Sequence, residues 1–138
     1  MEYIDIYKLA SIEVRVAVNW WAQFLKDIPQ NNIIVFCEKL TSLIFARIYR
    51  SWNIKDPAKG SGYRSIINDY HMDPLLKTAC ELSKVNPDKL PRGIVMLINP
   101  KAVKIQLLEN EKDAEIIYAG YYNFYIDSSS YILSSAPI

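Results

Sequence analysis

The spacing of apolar residues changes from a helical period in the first half of this chain to a strand period in the second half. From Ile12 to Leu25, and again from about Ile33 to Tyr49, polar residues interrupt the apolar ones every three or four positions. A short turn that contains Pro29 separates the two segments. They are therefore predicted to form an antiparallel pair of helices, since short turns join antiparallel neighbours.

A third helix is predicted to begin at Asp73 and Pro74, because aspartate caps helix N-termini and proline is favoured at the first helical position. It is expected to run to the Asn86-Pro87 pair. Its apolar face is predicted to consist of Leu75, Leu76, Ala79, Cys80 and Leu82.

The strand pattern is clearest in "GIVMLIN" and in the alternating residues Val103, Ile105 and Leu107. The connection "NPKA" between them predicts an antiparallel hairpin, because proline favours the second position of a turn. "AEIIYAG" and "YRSII" are predicted to be further short strands. The fold class is therefore α+β, with an antiparallel helix pair and a further helix packed on a small antiparallel sheet.

A length of 138 residues is typical of one domain, and residues 1–138 are treated as one. Within it, the Tyr- and Ser-rich end at residues 121–138 is predicted either to dock on the domain or to lead into a disordered extension.

The composition argues against several function classes. A formal net charge of +1 gives no strong electrostatic footprint for nucleic acid. The apolar runs are shorter than the ~20 residues of a membrane span, and the start of the chain lacks the pattern of a signal peptide. An intracellular, soluble protein without membrane contact is expected.

No residue pattern indicates catalysis, a metal site or a cofactor. His71 is the only histidine, and Cys37 and Cys80 are interpreted as buried thiols rather than a disulfide. Trp20 and Trp21 are interpreted as core residues of the first helix rather than platforms for base stacking. A non-catalytic protein without cofactors is expected.

The segment "WNIKDPAKGSGYRSI" poses the question of whether its "KGSG" is a phosphate loop. In the Walker motif the lysine follows the glycines and a helix comes next, whereas here the lysine precedes them and a strand is expected to follow. A glycine turn is the simpler interpretation. Trp52 is predicted to be buried at the edge of this loop, with Gly60 and Gly62 fixing the course of the backbone.

Several segments together resemble the amino-terminal domain of the BTG/Tob anti-proliferative family. Its first helix is similar to "EVRVAVNWW", its first conserved box to the residues from Trp52 to Arg64, and its second box to "LPRGIVMLINPKAV". "PQNNIIVFCEKL" and "MDPLL" also match in order and spacing. The resemblance covers about residues 13–109 and implies a BTG-domain-like fold.

Members of this family are adaptors without catalytic activity. The resemblance implies binding to the Caf-type deadenylase subunit of the Ccr-Not complex, promotion of mRNA deadenylation, and control of proliferation or differentiation in cytoplasm and nucleus. It also brings in RNA-binding proteins or poly(A)-binding protein as further partners. Carried over by position, the protein-binding residues are Tyr63, Leu97, Asn99 and Lys101.

The second box departs from the family pattern. Leu97 and Asn99 stand where the family usually has tryptophan and aspartate, Lys101 where an aromatic often stands, and Ala102 where an acidic residue does. Weaker binding to the usual deadenylase, or a changed partner, is therefore expected. The alternative is a self-assembling structural or RNA–protein module that kept the fold and lost deadenylase binding, an alternative motivated by the clustered tyrosines near the end of the chain.

Overall fold

The structure of the protein is a computed structural model that describes residues 5–109 and 114–120. In this part of the chain the helices are α1 (Ile6–Leu9), α2 (Ser11–Ala22), α3 (Gln30–Ile48), α4 (Ser61–Arg64) and α5 (Pro74–Ser83). The strands are β1 (Ile66–Asn68), β2 (Ile94–Asn99), β3 (Ala102–Leu107) and β4 (Glu115–Ala119). Short 3-10 turns lie at Tyr49–Ser51 and Pro87–Lys89.

The described strands form a four-stranded antiparallel sheet in the order β1-β2-β3-β4. The predicted hairpin is confirmed: Asn99 pairs with Ala102, and Pro100 and Lys101 form the turn. Lys101 has a φ of 72°, as required of the third residue of a type II turn. The α+β fold is confirmed, and with it the strand predicted from "AEIIYAG".

Helix α2 packs on strands β2, β3 and β4 and also against α3, which in turn packs against α5. The core between these layers is apolar because each element turns one face inward. Its largest fully buried apolar side chains include Trp21, Phe36, Leu40, Ile44, Leu76, Met96 and Ile98. None of the helices in the described part of the chain is both long and apolar enough to cross a bilayer.

Asp73 joins three elements at the start of α5. Its carboxylate accepts two hydrogen bonds of 2.8 Å from Arg47 of α3, one of 3.0 Å from the amide of Ile67 in β1, and one of 2.9 Å from the amide of Leu75. Burial alone would raise the pKa of Asp73, but these hydrogen bonds outweigh it and hold the pKa below its ordinary value. The predicted cap therefore also anchors the sheet edge to the helix pair.

Two predicted segments differ from the structure near this cap. Helix α5 ends at Ser83 rather than at Asn86-Pro87, because Lys84 adopts a left-handed conformation with φ 59°. Leu82 lies in the last turn of α5 and is 55% exposed, so its assignment to the apolar face was wrong.

The prediction of a strand over "YRSII" was wrong for its first half. Tyr63 and Arg64 belong to the helical turn α4, and strand β1 begins at Ile66. The physical reason is the buried side chain of Arg64, which donates hydrogen bonds to the carbonyls of Ile98, Ser51 and Pro57 on other segments of the chain.

The aromatic side chains on α2 and just after it are less buried than their spacing suggested. Trp21 is fully buried, as expected, but Trp20 is half-buried and Phe24 is 36% exposed. The rings of Trp20 and Phe24 lie 5.0 Å apart, edge to face. The expected core therefore extends only partly across this helix.

Candidate protein-docking site

Residues 52–65 form a loop, which we call the Trp52–Ser65 loop. One of its residues, Arg64, is fully buried. Its Nε donates to the carbonyl of Ile98 at 2.8 Å, and its Nη2 donates to Asn99 Oδ1 at 2.8 Å, so two bonds reach strand β2. The remaining donors go to the carbonyls of Ser51, Pro57 and Lys59. A guanidinium has five N–H groups, and all five are used here.

These contacts join the Trp52–Ser65 loop to the end of strand β2. The cation is held by carbonyl and amide oxygens, and no carboxylate of the described residues accepts a hydrogen bond from it. Burial lowers the pKa of Arg64. Because the ordinary pKa of a guanidinium is very high, the group nevertheless keeps its proton. The Trp52 ring, itself 6% exposed as predicted, has its centroid 5.6 Å from the guanidinium carbon, a cation–π distance.

The two glycines of the loop have different roles. Gly60 has a φ of 79°, and a Cβ there would meet the Ser51 side chain at 3.2 Å and the Arg64 guanidinium at 3.3 Å. Around Gly62 a Cβ would meet nothing within 4 Å, and its φ is not in the left-handed region. The expectation that both glycines set the backbone course is therefore corrected: the conformational reason applies to Gly60 alone.

Tyr63 projects from α4 with 80% of its surface exposed. Its amide donates to the carbonyl of Gly60 at 3.0 Å, and the next residue, Arg64, is fixed by its guanidinium contacts. An exposed aromatic side chain thus stands on a backbone that is held in one conformation. Such an arrangement suits an anchor for another protein, since little backbone freedom remains to be lost on binding.

Buried and half-buried residues alternate along strand β2. Met96 and Ile98 are fully buried, whereas Leu97 and Asn99 share the opposite face and are half-buried. Leu97 lies level with Lys104 of β3 on this outer face. The side-chain oxygen of Asn99 is already engaged by Arg64, the residue after Tyr63, so Asn99 connects the strand to the Trp52–Ser65 loop.

Glu13 holds the hairpin turn from the helical side. It is 3% exposed, and its Oε2 accepts a 2.9 Å hydrogen bond from the amide of Lys101. Burial raises the pKa of Glu13, while the hydrogen bond and the nearby Lys101 charge act in the opposite direction. The backbone of Lys101 is therefore fixed to α2, and its side chain is half-buried.

Sequence reasoning did not single out Arg64 or Glu13 as residues that position the site. The sequence contains a signal for Glu13, because it lies four residues, about one helical turn, before the buried Ala17 and therefore on the same face of α2. For Arg64 the signal was weaker, since nothing in "GYRSI" separates a buried arginine from an exposed one.

Other chemistries find little support in the described part of the chain. It contains no group of three His, Cys, Asp or Glu residues that could hold a metal ion. Cys37 and Cys80 are both free thiols, and burial, helped by the nearby Glu81, raises the pKa of Cys80 to about 11. That thiol stays protonated at neutral pH and is a poor nucleophile.

Comparisons with known proteins point to one family. The model of the BTG family matches residues 10–117. Human Tob1 is 29% identical over 103 residues, which cover 71% of this chain and 30% of Tob1. Chicken BTG1 is 26% identical over 114 residues, which cover 76% of this chain and 67% of BTG1.

A solved structure agrees with the fold. The BTG/Tob domain of FOG-3 from C. elegans superposes with a TM-score of 0.72 at 24% identity, covering 79% of this chain and 90% of that one. The match to human Tob1 spans under a third of the length of that relative, so it concerns one region of a longer protein.

Proposed function

The chain belongs to the BTG family, and from this premise we propose that it is a non-catalytic adaptor for a Caf-type deadenylase subunit of the Ccr-Not complex. In this role it brings mRNA deadenylation to chosen messages, restrains proliferation or supports differentiation, and acts in cytoplasm and nucleus. RNA-binding proteins or poly(A)-binding protein are the further partners that such an adaptor would connect.

The observation that carries this proposal is the presentation of Tyr63. Its side chain is 80% exposed, and its backbone is fixed through Gly60 and Arg64. Aromatic residues on rigid supports are frequent hot spots of protein interfaces. Leu97 and Lys101 extend the proposed docking surface along the β2–β3 hairpin, whose turn is held by Glu13.

The altered second box predicts a weaker complex than one formed by a family member with tryptophan and aspartate. Leu97 offers less contact area than tryptophan, and Asn99 is neutral and turned toward Arg64. The docking surface therefore relies more on Tyr63 than on the hairpin. A single-residue test at Tyr63 is correspondingly decisive.

The first experiment is co-purification of the protein with a Caf-type deadenylase subunit, comparing the parent with Tyr63→Ala and Tyr70→Ala. Tyr70 is a matched control, because it is 88% exposed but lies in the turn after β1. The proposal expects the parent and Tyr70→Ala to retain the subunit and Tyr63→Ala to lose it. Failure of the parent to retain it would overturn the proposal.

A self-assembling structural or RNA–protein module is the second candidate. It is favoured by apolar surface on Trp20 of α2, on Phe24 just after this helix and on Ile116 of β4, the last 54% exposed. Light scattering over a range of protein concentrations separates the candidates. Stable multimers without deadenylase binding support the module, whereas a monomer at every concentration excludes self-assembly.

A further inference from the structure

A groove of about 870 Å³ lies on the helical side of the Trp52–Ser65 loop. We call it the basic groove, because its walls carry the cations Lys8, Arg50, Lys55 and Lys59. Tyr63 forms one rim, and Leu9 and Trp52 supply apolar surface inside. Its size is within the range of sites that bind small ligands or short peptide segments.

The charged side chains that line this groove are mostly positive. Four cations line it against a single carboxylate, that of Asp5, while the whole chain has a formal net charge of only +1. The ion pairs found among the described residues are Arg47–Asp73 and Lys89–Asp27, and neither involves a cation of the groove. Within the described residues the lining therefore carries an excess of positive charge, and none of its cations is held in an ion pair.

The wall of the groove also contains polar atoms without a partner. Trp52 Nε1 and Ser51 Oγ are buried, and neither has a hydrogen-bond partner within residues 5–109 and 114–120. A buried donor that is left unsatisfied carries a free-energy cost. Because both atoms are buried, the attraction of the groove for a ligand rests on its exposed cations and not on these two atoms.

We propose that the basic groove binds an acidic peptide segment of a partner protein, with an apolar side chain over Leu9 and Trp52 and carboxylates beside the lysines. A peptide fits better than single-stranded nucleic acid, because Tyr63 is the one well-exposed aromatic of the lining on which a base could stack. This inference goes beyond deadenylase docking, since it identifies a second ligand by its charge and does not require the deadenylase.

The test uses the full chain and three fluorescent probes in an anisotropy titration. The first probe is the peptide Glu-Asp-Glu-Phe-Asp-Glu, the second is its amide counterpart Gln-Asn-Gln-Phe-Asn-Gln, and the third is a short oligoadenylate RNA. The groove variant carries Lys55→Glu and Lys59→Glu. The matched control carries Lys39→Glu and Lys77→Glu, which make the same charge change at exposed positions of α3 and α5.

The proposal expects the acidic peptide to bind the parent and the control with equal affinity. This affinity should be at least tenfold higher than that of the amide peptide for the parent, and at least tenfold higher than that of the acidic peptide for the groove variant. Binding should weaken as salt is added, because exposed charges are screened. Three outcomes would overturn it: no binding of the acidic peptide, equal binding by the groove variant, or tighter binding of the RNA. A loss in a groove variant that also melts at a lower temperature than the control would be checked with Lys55→Gln and Lys59→Gln, which must still weaken binding.

Discussion

Arg64 Nη2 donates a 2.8 Å hydrogen bond to the side-chain oxygen of Asn99, and this bond ties the Trp52–Ser65 loop to the β2–β3 hairpin. Asn99 was expected from the sequence to be a docking residue on the surface. In the structure its oxygen faces inward to a buried guanidinium. The residue therefore has a positioning role, whatever contact its remaining surface makes with a partner.

Replacing Asn99 with aspartate should stabilise the protein. The introduced carboxylate would accept the same hydrogen bond and also compensate the buried Arg64 charge, which has neutral acceptors at present. We expect Asn99→Asp to unfold at a higher urea concentration, with its free energy of unfolding raised by roughly 1 kcal/mol. Asn99→Ala should lower the free energy of unfolding by roughly 1 to 2 kcal/mol. Equal stability of the two variants would show that the bond to Arg64 is unimportant.

The two loop glycines should respond oppositely to alanine. Gly60→Ala forces a Cβ into a left-handed conformation beside Ser51 and Arg64, so a loss of ~1 kcal/mol or more is expected. Gly62→Ala has free space and a helical neighbourhood, and it should be neutral or stabilising by up to ~1 kcal/mol. Thermal unfolding measures both, and a large loss in Gly62→Ala would contradict the assignment.

Truncating Trp52 should be strongly destabilising. The ring is 6% exposed and lies beside Arg64, so Trp52→Ala removes a buried aromatic surface and the cation–π contact together. We expect a loss of ~3 kcal/mol or more in chemical denaturation. Unchanged stability would mean that the ring does not support the loop.

The Asp73–Arg47 pair should make stability dependent on acid pH. The pKa of Asp73 is held below its ordinary value of 3.8, so its stabilisation is present above that value and is lost as pH falls through the folded-state pKa. At neutral pH, Asp73→Asn should be about 3 kcal/mol less stable than the parent, since Arg47 loses its partner. The difference should shrink below pH 3.8 in urea titrations. A difference that is constant over the whole pH range would exclude this linkage.

Much of the fold was predictable because periodicity reports which face of an element is buried. The hairpin turn at Pro100 and the cap at Asp73 followed from local chemistry and appear in the structure. The end of α5 did not follow, since a left-handed lysine at position 84 has no sequence signature comparable to glycine. The helical turn at Tyr63 also escaped, because it depends on the long-range contacts of Arg64 with Ile98 and Asn99.

The candidate site was predictable only in part. The shared face of Leu97 and Asn99 follows from the alternation of side chains along a strand, and the exposure of Tyr63 agrees with the docking role that the resemblance implied. The hydrogen bond from Arg64 to Asn99 joins positions 35 residues apart, and the hydrogen bond from Lys101 to Glu13 joins positions 88 residues apart. Such pairings cannot be deduced from one sequence, because local spacing carries no information about them.

Calorimetric titration of a Caf-type deadenylase subunit into the parent, Tyr63→Ala and Tyr70→Ala tests the central claim most directly. Because Tyr63 is an exposed anchor on a fixed backbone, its truncation should weaken binding by ~2 kcal/mol or more without lowering the melting temperature. Tyr70→Ala should bind like the parent. A parent that does not bind, or a Tyr63→Ala variant that binds as tightly as the parent, would contradict the account.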